Sequence, residues 1–228
     1  MFSTGKMKKK VEELKKSGLI RKNEKILIAF SGGPDSVFLY NLLDFLKEEY
    51  SLEISLMYIN HNLREDVGND LKFVREFSEE NNVPLYIESV NVKEYAAENK
   101  KSIELAAREL RYEAIERTLK NINYDRIATG HNLDDNTETF IFRLVRGTSL
   151  KGLKGIPEER GNIIRPILQF EKNEILNCLQ ENRKSYIIDY TNNENDYTRN
   201  YIRNEVFPMF VNINPNFRNK VNELIHEI

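Results

Sequence analysis

Ser31-Gly32-Gly33-Pro34-Asp35-Ser36 stands between a short apolar run, Ile26 to Phe30, and a helical apolar pattern, Val37 to Leu46. A strand, a glycine turn and a helix start in that order make an anion site. The glycines let a ligand approach the main chain, and the first N–H groups of the helix face it with the positive end of the dipole. Pro34 costs little at a helix start, and Ser31 and Ser36 add hydroxyl donors. Phosphate is the natural guest. No lysine follows the glycines as a G-x-x-x-x-G-K-[ST] loop requires, and the turn is too short for G-x-G-x-x-G. Asp35 puts a carboxylate beside phosphate, a repulsion that asks for a cation between them. Mg²⁺ carried on a nucleoside triphosphate supplies one. The same residues also read as an ordinary strand-to-helix turn with a Ser or Asp cap.

A second group of reactive side chains lies in His131-Asn132-Leu133-Asp134-Asp135-Asn136-Thr137-Glu138. On a helix, Asp134 and Asp135 stand four and three positions before Glu138, so three carboxylates are expected on roughly one face. A helix N-terminus tolerates acids, but acids this close call for a cation, either Mg²⁺ or a substrate ammonium. Glu104, Arg108 and Arg111 are spaced as one helical stripe, suited to surface ion pairing or to phosphate contact. His61 and His131 each follow an expected strand, where a catalytic or a hydrogen-bonded structural histidine fits equally. His226 near the last residue is read as inert, and no zinc site follows from three histidines and one cysteine.

These residues need a scaffold. Expected elements run helix 7–19, strand 26–30, helix from 37, strand 54–59, helix 69–81, strand 85–90, helix 102–121, strand 127–129 and helix 133–145. Alternation of this kind implies an α/β fold with a parallel sheet covered on both faces, its functional groups gathered at the carboxyl ends of the strands. Beyond Gly147 a glycine-rich loop leads to an extended segment at 165–168, a helix at 171–182, a short strand at 186–188 and helices at 196–207 and 217–228. No internal repeat is present. With 228 residues, 40% of them hydrophobic, the chain can bury one sizeable core. No apolar run approaches membrane-spanning length and no signal peptide is evident. The single cysteine, Cys178, sits in a helical pattern as a buried hydrophobe and excludes a disulfide framework or a cysteine-held cluster. A cytoplasmic protein is expected. Net charge is −2, yet residues 1–25 carry nine Lys/Arg against three Glu, and residues 143–165 six against two. Such runs are solvated faces or places where a phosphate backbone docks.

S-G-G-x-D-S after a first buried strand resembles the PP-loop of ATP pyrophosphatases. Further segments resemble the N-terminal catalytic domain of bacterial tRNA(Ile)-lysidine synthases: Asn60 to Arg64, Glu104 to Tyr112, Thr129 to Thr139, Arg146-Gly147 with Gly152 to Gly155, Arg165-Pro166, Asp189 to Asn192, and Arg199-Asn200 with Arg203. They span residues 26–208 in the family's order. The resemblance implies a Rossmann-like, adenine nucleotide alpha-hydrolase-like PP-loop domain over 26–208, with a basic helix over 1–25 packed on it. Residues 209–228 would form a helical tail or the start of a C-terminal region. It also implies the reaction: ATP adenylates the carbon-2 oxygen of the wobble cytidine of tRNA(Ile), and the ε-amine of free L-lysine displaces AMP.

The roles implied follow from that chemistry. ATP would be held by Ser31, Gly32, Gly33, Pro34, Asp35 and Ser36 with His61 and Arg108, and Mg²⁺ by Asp35 and Asp135. Lysine would meet Asp134 and Glu138 through its ammonium and Arg199 or Arg203 through its carboxylate. Arg64, Arg111, Arg146 and Arg165 would face the tRNA. Proton transfer falls to Glu138 or His131, with Asp35 and Asp135 completing the catalytic set. Family members usually continue into C-terminal domains that grip tRNA, whereas this sequence stops at Ile228: either it is a fragment of a longer protein or another element supplies that grip. Oligomeric state is open, a homodimer included. The rivals are a tRNA-thiolating relative, which would want more cysteines, a NAD- or GMP-synthetase-like enzyme, and a nucleotide-binding module without catalysis.

Overall fold

The computed structural model describes residues 1–2, 5–62, 67–188 and 201–228. Among them, six strands form one sheet in the order β3-β2-β1-β4-β6-β5. These are β1 (Lys25–Ala29), β2 (Glu53–Asn60), β3 (Leu85–Ser89), β4 (Arg126–Ala128), β5 (Glu159–Arg160) and β6 (Ile163–Ile164). All neighbours pair in parallel except β5 with β6. The helices are α1 (Gly5–Ser17), α2 (Pro34–Tyr50), α3 (Val67–Glu80), α4 (Val92–Glu98), α5 (Ile103–Ile122), α6 (Leu133–Arg146) and α7 (Lys172–Glu181). A π-helical turn (Ile202–Val206) then leads into α8 (Phe207–Ile213) and α9 (Phe217–Glu227). No helix among the described residues is long and apolar enough to cross a membrane.

The apolar strand β1 is continuous because both of its faces are covered. Ile26 and Ile28 pack with buried residues of α1, α2 and α7, while Leu27 packs with Val92 and Ala96 of α4 and Ala114, Ile115 and Leu119 of α5. α1 docks through Met7, Val11 and Leu14. Several lysines of its basic run serve this docking. Lys6 and Lys10 pair with Glu174 at 2.7 and 2.6 Å, and Lys15 with Glu49 at 2.7 Å. They staple helices together instead of offering a free cationic face.

Some elements differ from those expected. α4 is seven residues long and capped by Asn91, too short to show a helical period. β5 and β6, two residues each, lie below the length at which alternation is visible. Residues 165–168 form a turn, with Leu168 N–H donating to Arg165 O at 3.1 Å, because the sheet strand ends just before them. Tyr186 to Ile188 has no strand partner, and Ile187 N–H instead donates to Gly32 O at 2.8 Å. Arg64, Asp189 to Asn192, Arg199 and Asn200 lie outside the described residues, as does residue 196–200 of the expected tail helix.

A third apolar cluster fastens the C-terminal helices to α6: Phe140 and Ile141 meet Leu153, Ile202, Phe207, Val221 and Ile225. The glycine-rich loop closes against the same helix. Arg143 donates to the carbonyls of Gly152 and Gly155 at 3.0 and 2.9 Å. Asn136, buried, accepts from Ile156 N–H at 2.6 Å and donates to Asn222 of α9 at 3.1 Å. Gly155 has φ +65°, and a Cβ there would lie 2.3 Å from Asn136 Oδ1. Gly155→Ala should therefore cost about 2–4 kcal/mol, from left-handed strain plus a disrupted buried hydrogen bond. Urea unfolding measures it, and a loss below about 1 kcal/mol would contradict this account of the loop.

Candidate active site at the carboxyl edge of the sheet

In the sheet β1 lies between β2 and β4, so the chain leaves β1 toward one side while β4 opens the other. Such a switch point leaves a crevice outside the carboxyl ends of the strands. Ser31 to Ser36 follows β1 into that crevice, and Thr129-Gly130-His131 follows β4 into it. The two turns touch because residue 130 is glycine: a Cβ there would stand 3.2 Å from Asp35 Cβ and 3.4 Å from Ser36 N. Gly32 has φ +79°, and a Cβ would meet Ile187 Cδ1 at 2.6 Å. Gly33 is the N-cap of α2 and makes no side-chain cap, whereas α5 and α6 are capped by Ser102 and Asn132. The N-terminus of α2 thus has no side chain of its cap residue over its first N–H groups. Ser36 is buried and its hydroxyl donates to Gly33 O at 2.9 Å, shaping the turn.

The carboxylates do have cations, and the protein supplies them. Asp35 accepts from Asn132 Nδ2 at 3.0 Å and pairs with Lys172 Nζ at 2.6 Å. Arg203, carried by the π-helical turn, donates through Nε and Nη2 to Glu138 at 2.5 and 2.9 Å and through Nη2 to Asp135 at 3.3 Å. Asp134 turns elsewhere. It forms an ion pair with Arg218 Nε of α9 at 2.5 Å and accepts the main-chain N–H of Lys172 at 2.8 Å. The expected three-carboxylate face is therefore a pair, Asp135 and Glu138, because Arg218 and the main chain of Lys172 draw Asp134 away. Asp135 also closes a capping box with Asn132. Burial first, then the charges of Glu138 and Asp35, push its carboxyl up to about 7, against the opposing pull of Arg203.

A basic group gathers around the start of α5 and the end of β2. Arg111 of α5 lies near His61 at the end of β2, and Arg108 lies over the Tyr112 ring at 5.7 Å. Arg165 is placed beside Tyr112 and Arg108, but it is only 5% exposed and donates to Pro157 O at 2.7 Å. It props this group from behind and does not present itself to a tRNA. Arg146 is exposed and lies over Phe142 at 5.0 Å. It ends α6, about 20 Å from the acidic start at the rise of an α-helix. His131 Nδ1 lies 2.9 Å from Thr129 Oγ1.

Lys172 and Arg218 carry no role in the sequence reading, and Asn132 stands within its acidic segment without one. A signal existed for two of them: Lys172 and Arg218 each sit in the first turn of a helix, the wrong end of the dipole for a cation. A cation there has a reason to be held, and in both cases the reason is a carboxylate of this site.

Comparison with known proteins fits this geometry. A family model described as a PP-loop domain matches residues 3–210. The chain belongs to the PP-loop family. Membership implies use of ATP, and the crevice with its uncapped helix start is where a PP-loop protein would receive it. Among curated proteins the chain is similar to the tRNA(Ile)-lysidine synthases of Thermosipho africanus (40% identity, 97% of this chain, 52% of that one) and Petrotoga mobilis (38%, 88%, 64%). That of Clostridioides difficile is similar too (41%, 95%, 47%). The chain thus spans about half to two thirds of the length of these relatives. Two solved structures share the fold. One is the U34-tRNA thiolase NcsA from Methanococcus maripaludis with its 4Fe-4S cluster, at TM-score 0.76 and 17% identity, covering 97% of this chain and 78% of that one. The other is the NH3-dependent NAD synthetase from Campylobacter jejuni in complex with the nitrate ion, at TM-score 0.55 and 12% identity, covering 96% and 90%.

His61 provides a pH test of the basic group. Burial, helped by Arg111, lowers its pKa to about 4. Between pH 6.5 and 4 the unfolded chain carries a proton that folded His61 refuses, so stability falls as pH drops through that window and is unaffected above it. His61→Asn should remove about 1–2 kcal/mol of the stability lost between pH 7.5 and 5. Urea unfolding at the two pH values checks this, and an unchanged slope would place His61 in open solvent.

Proposed function

We propose that this chain carries the catalytic centre for lysidine formation. In that reaction free L-lysine is joined to carbon 2 of the wobble cytidine of tRNA(Ile) through an adenylated intermediate, with release of pyrophosphate and AMP. The observation that carries the reading is the junction of a PP-loop helix start, uncapped by its Gly33, with Asp35, Asp135 and Glu138. The identity to curated lysidine synthases, 35–41% over most of the chain, supports it.

On this reading the first N–H groups of α2 and the backbone at Gly32 and Gly33 hold the ATP polyphosphate, and neutral His61 offers a hydrogen bond. Among the described residues no group of three or more His, Cys, Asp or Glu is arranged as a metal cage. Asp35 and Asp135 do suit Mg²⁺ that arrives on the nucleotide, since that ion is usually held by one or two carboxylates plus phosphates. The charge crowding that raises Asp135 would be relieved by such an ion. When bound, Mg²⁺ would neutralise the polyphosphate. Adenylation demands charge stabilisation more than a protein nucleophile. The second step demands an uncharged amine, and lysine at roughly pKa 10.4 must lose a proton. Glu138 and His131 are the candidate acceptors, since Asp135 holding Mg²⁺ would lose the basicity that its carboxyl has in the empty crevice. Glu138 binds the ammonium, and Arg203 presents its guanidinium to the amino acid carboxylate. Arg111 and Arg108 face the RNA and phosphates. The thiolating alternative loses ground, because the chain's one cysteine, Cys178, is buried in α7.

The deciding assay is pyrophosphate release stimulated jointly by tRNA and lysine. ATP binding without that stimulation would make the chain a nucleotide-binding module. Gly33→Val should abolish ATP binding while the fold persists, because a Cβ at 33 meets only Ser31 Oγ, at 3.4 Å. Glu138→Gln should weaken lysine binding by roughly 10- to 150-fold, the loss of one charge-assisted contact. Transfer should then be slow at low lysine with normal adenylation. Equal loss of both steps would assign Glu138 to the nucleotide instead.

A further inference from the structure

Lys172 answers a question that Asp35 raises. A carboxylate in a phosphate-binding turn needs a cation, and in this structure the cation is Lys172 Nζ, 2.6 Å from Asp35 Oδ2. The contact is half-exposed, at 34% for the lysine and 28% for the aspartate side chain. A structural staple is not required here. α2 already has a buried apolar contact with α7 and the segment just before it: Phe38 meets Phe170 edge-on at 5.2 Å, and Ile175 and Leu179 of α7 are fully buried in the same cluster. The lysine is also held against its own helix. It is the first residue of α7, where the dipole repels a cation. Its main-chain N–H is fixed by Asp134 Oδ2 at 2.8 Å, so its backbone is anchored while its four-carbon stem remains rotatable.

Resting on the ATP reading given above, we infer that Lys172 is an exchangeable counter-ion of the PP-loop. It neutralises Asp35 while the crevice is empty, yields that carboxylate when the nucleotide arrives with its divalent cation, and then turns its ammonium to the polyphosphate. The anchored backbone keeps the ammonium at the mouth of the PP-loop through the exchange. A compact, flexible lysine suits this role better than an arginine, whose planar fork would hold the carboxylate bidentately.

The test is calorimetric ATP binding to the intact chain over a Mg²⁺ titration, for wild type, Lys172→Met and Lys172→Gln, each checked by circular dichroism and thermal melting. Without the competing ammonium, half-saturation by Mg²⁺ should move about 3- to 10-fold lower, as expected for loss of one half-exposed charge-assisted contact. At saturating Mg²⁺, ATP affinity should fall by about 10-fold, the phosphates having lost a cation. In an Asp35→Asn background, Lys172→Met should leave the Mg²⁺ midpoint where it is, which isolates the pair. A parallel loss of affinity at every Mg²⁺ concentration with an unmoved midpoint would make Lys172 a staple and overturn the inference alone. An unmoved midpoint with unchanged affinity would do the same. Absence of ATP binding by the wild-type protein would overturn the ATP reading and this inference with it. The glutamine variant keeps a hydrogen bond to Asp35 and serves where methionine impairs folding.

Discussion

The structure turns on charge compensation at the carboxyl edge of the sheet. The starts of α2 and α6, each carrying acids, are joined by the close approach at Gly130 and by Asn132 donating to Asp35 at 3.0 Å. In an unfolded chain these groups would be separated and solvated. Folded, they are tolerable because Lys172, Arg203 and Arg218 converge on them from three later elements. Glu138 in particular is nearly buried, and its loss of Arg203 would leave an unpaired charge there, a penalty that typically exceeds what the pair itself contributes.

That dependence explains the architecture of the C-terminal third. α8, α9 and the π-helical turn add no strand to the sheet, yet their apolar faces are packed on α6 through Phe207, Val221 and Ile225. Docking places Arg203 and Arg218 beside the acidic helix start. The glycine-rich loop does the same work from the other side, since Asn136 ties it to Asn222 of α9. A π-helical turn widens the spacing of the backbone and is often found where a helix must aim a functional side chain. Here it aims Arg203.

Much of this was legible in the sequence, for physical reasons. Buried parallel strands read as apolar runs, and Ser102 and the acidic start of α6 mark helix N-termini, so the order of the main elements and the PP-loop emerge directly. The pieces that escaped are short or nonlocal. α4, β5 and β6 are too short to show a period. The inference that crowded acids require an outside cation, Mg²⁺ or a substrate ammonium, was sound electrostatics with incomplete information. Nothing local to Asp35 or Glu138 announces that residues 65 to 137 positions away will arrive as partners. Arg165 shows the converse. An arginine at a strand end looks exposed until tertiary packing buries it under Tyr112 and Pro157.

The compensation is also incomplete, and the remainder is what the site has to offer chemically. Four carboxylates, Asp35, Asp134, Asp135 and Glu138, meet three cations, Lys172, Arg203 and Arg218. One negative charge is left over, and it adds to burial, the larger cause, in raising the Asp135 carboxyl to about 7. A site in this condition resists a bare polyphosphate and favours whatever brings positive charge with it. On the proposed reading, a metal-bearing nucleotide and an ammonium substrate both meet that requirement. The surplus charge that makes the empty crevice costly to fold is also, on that reading, what would select its occupants, each bringing the positive charge that the acids lack.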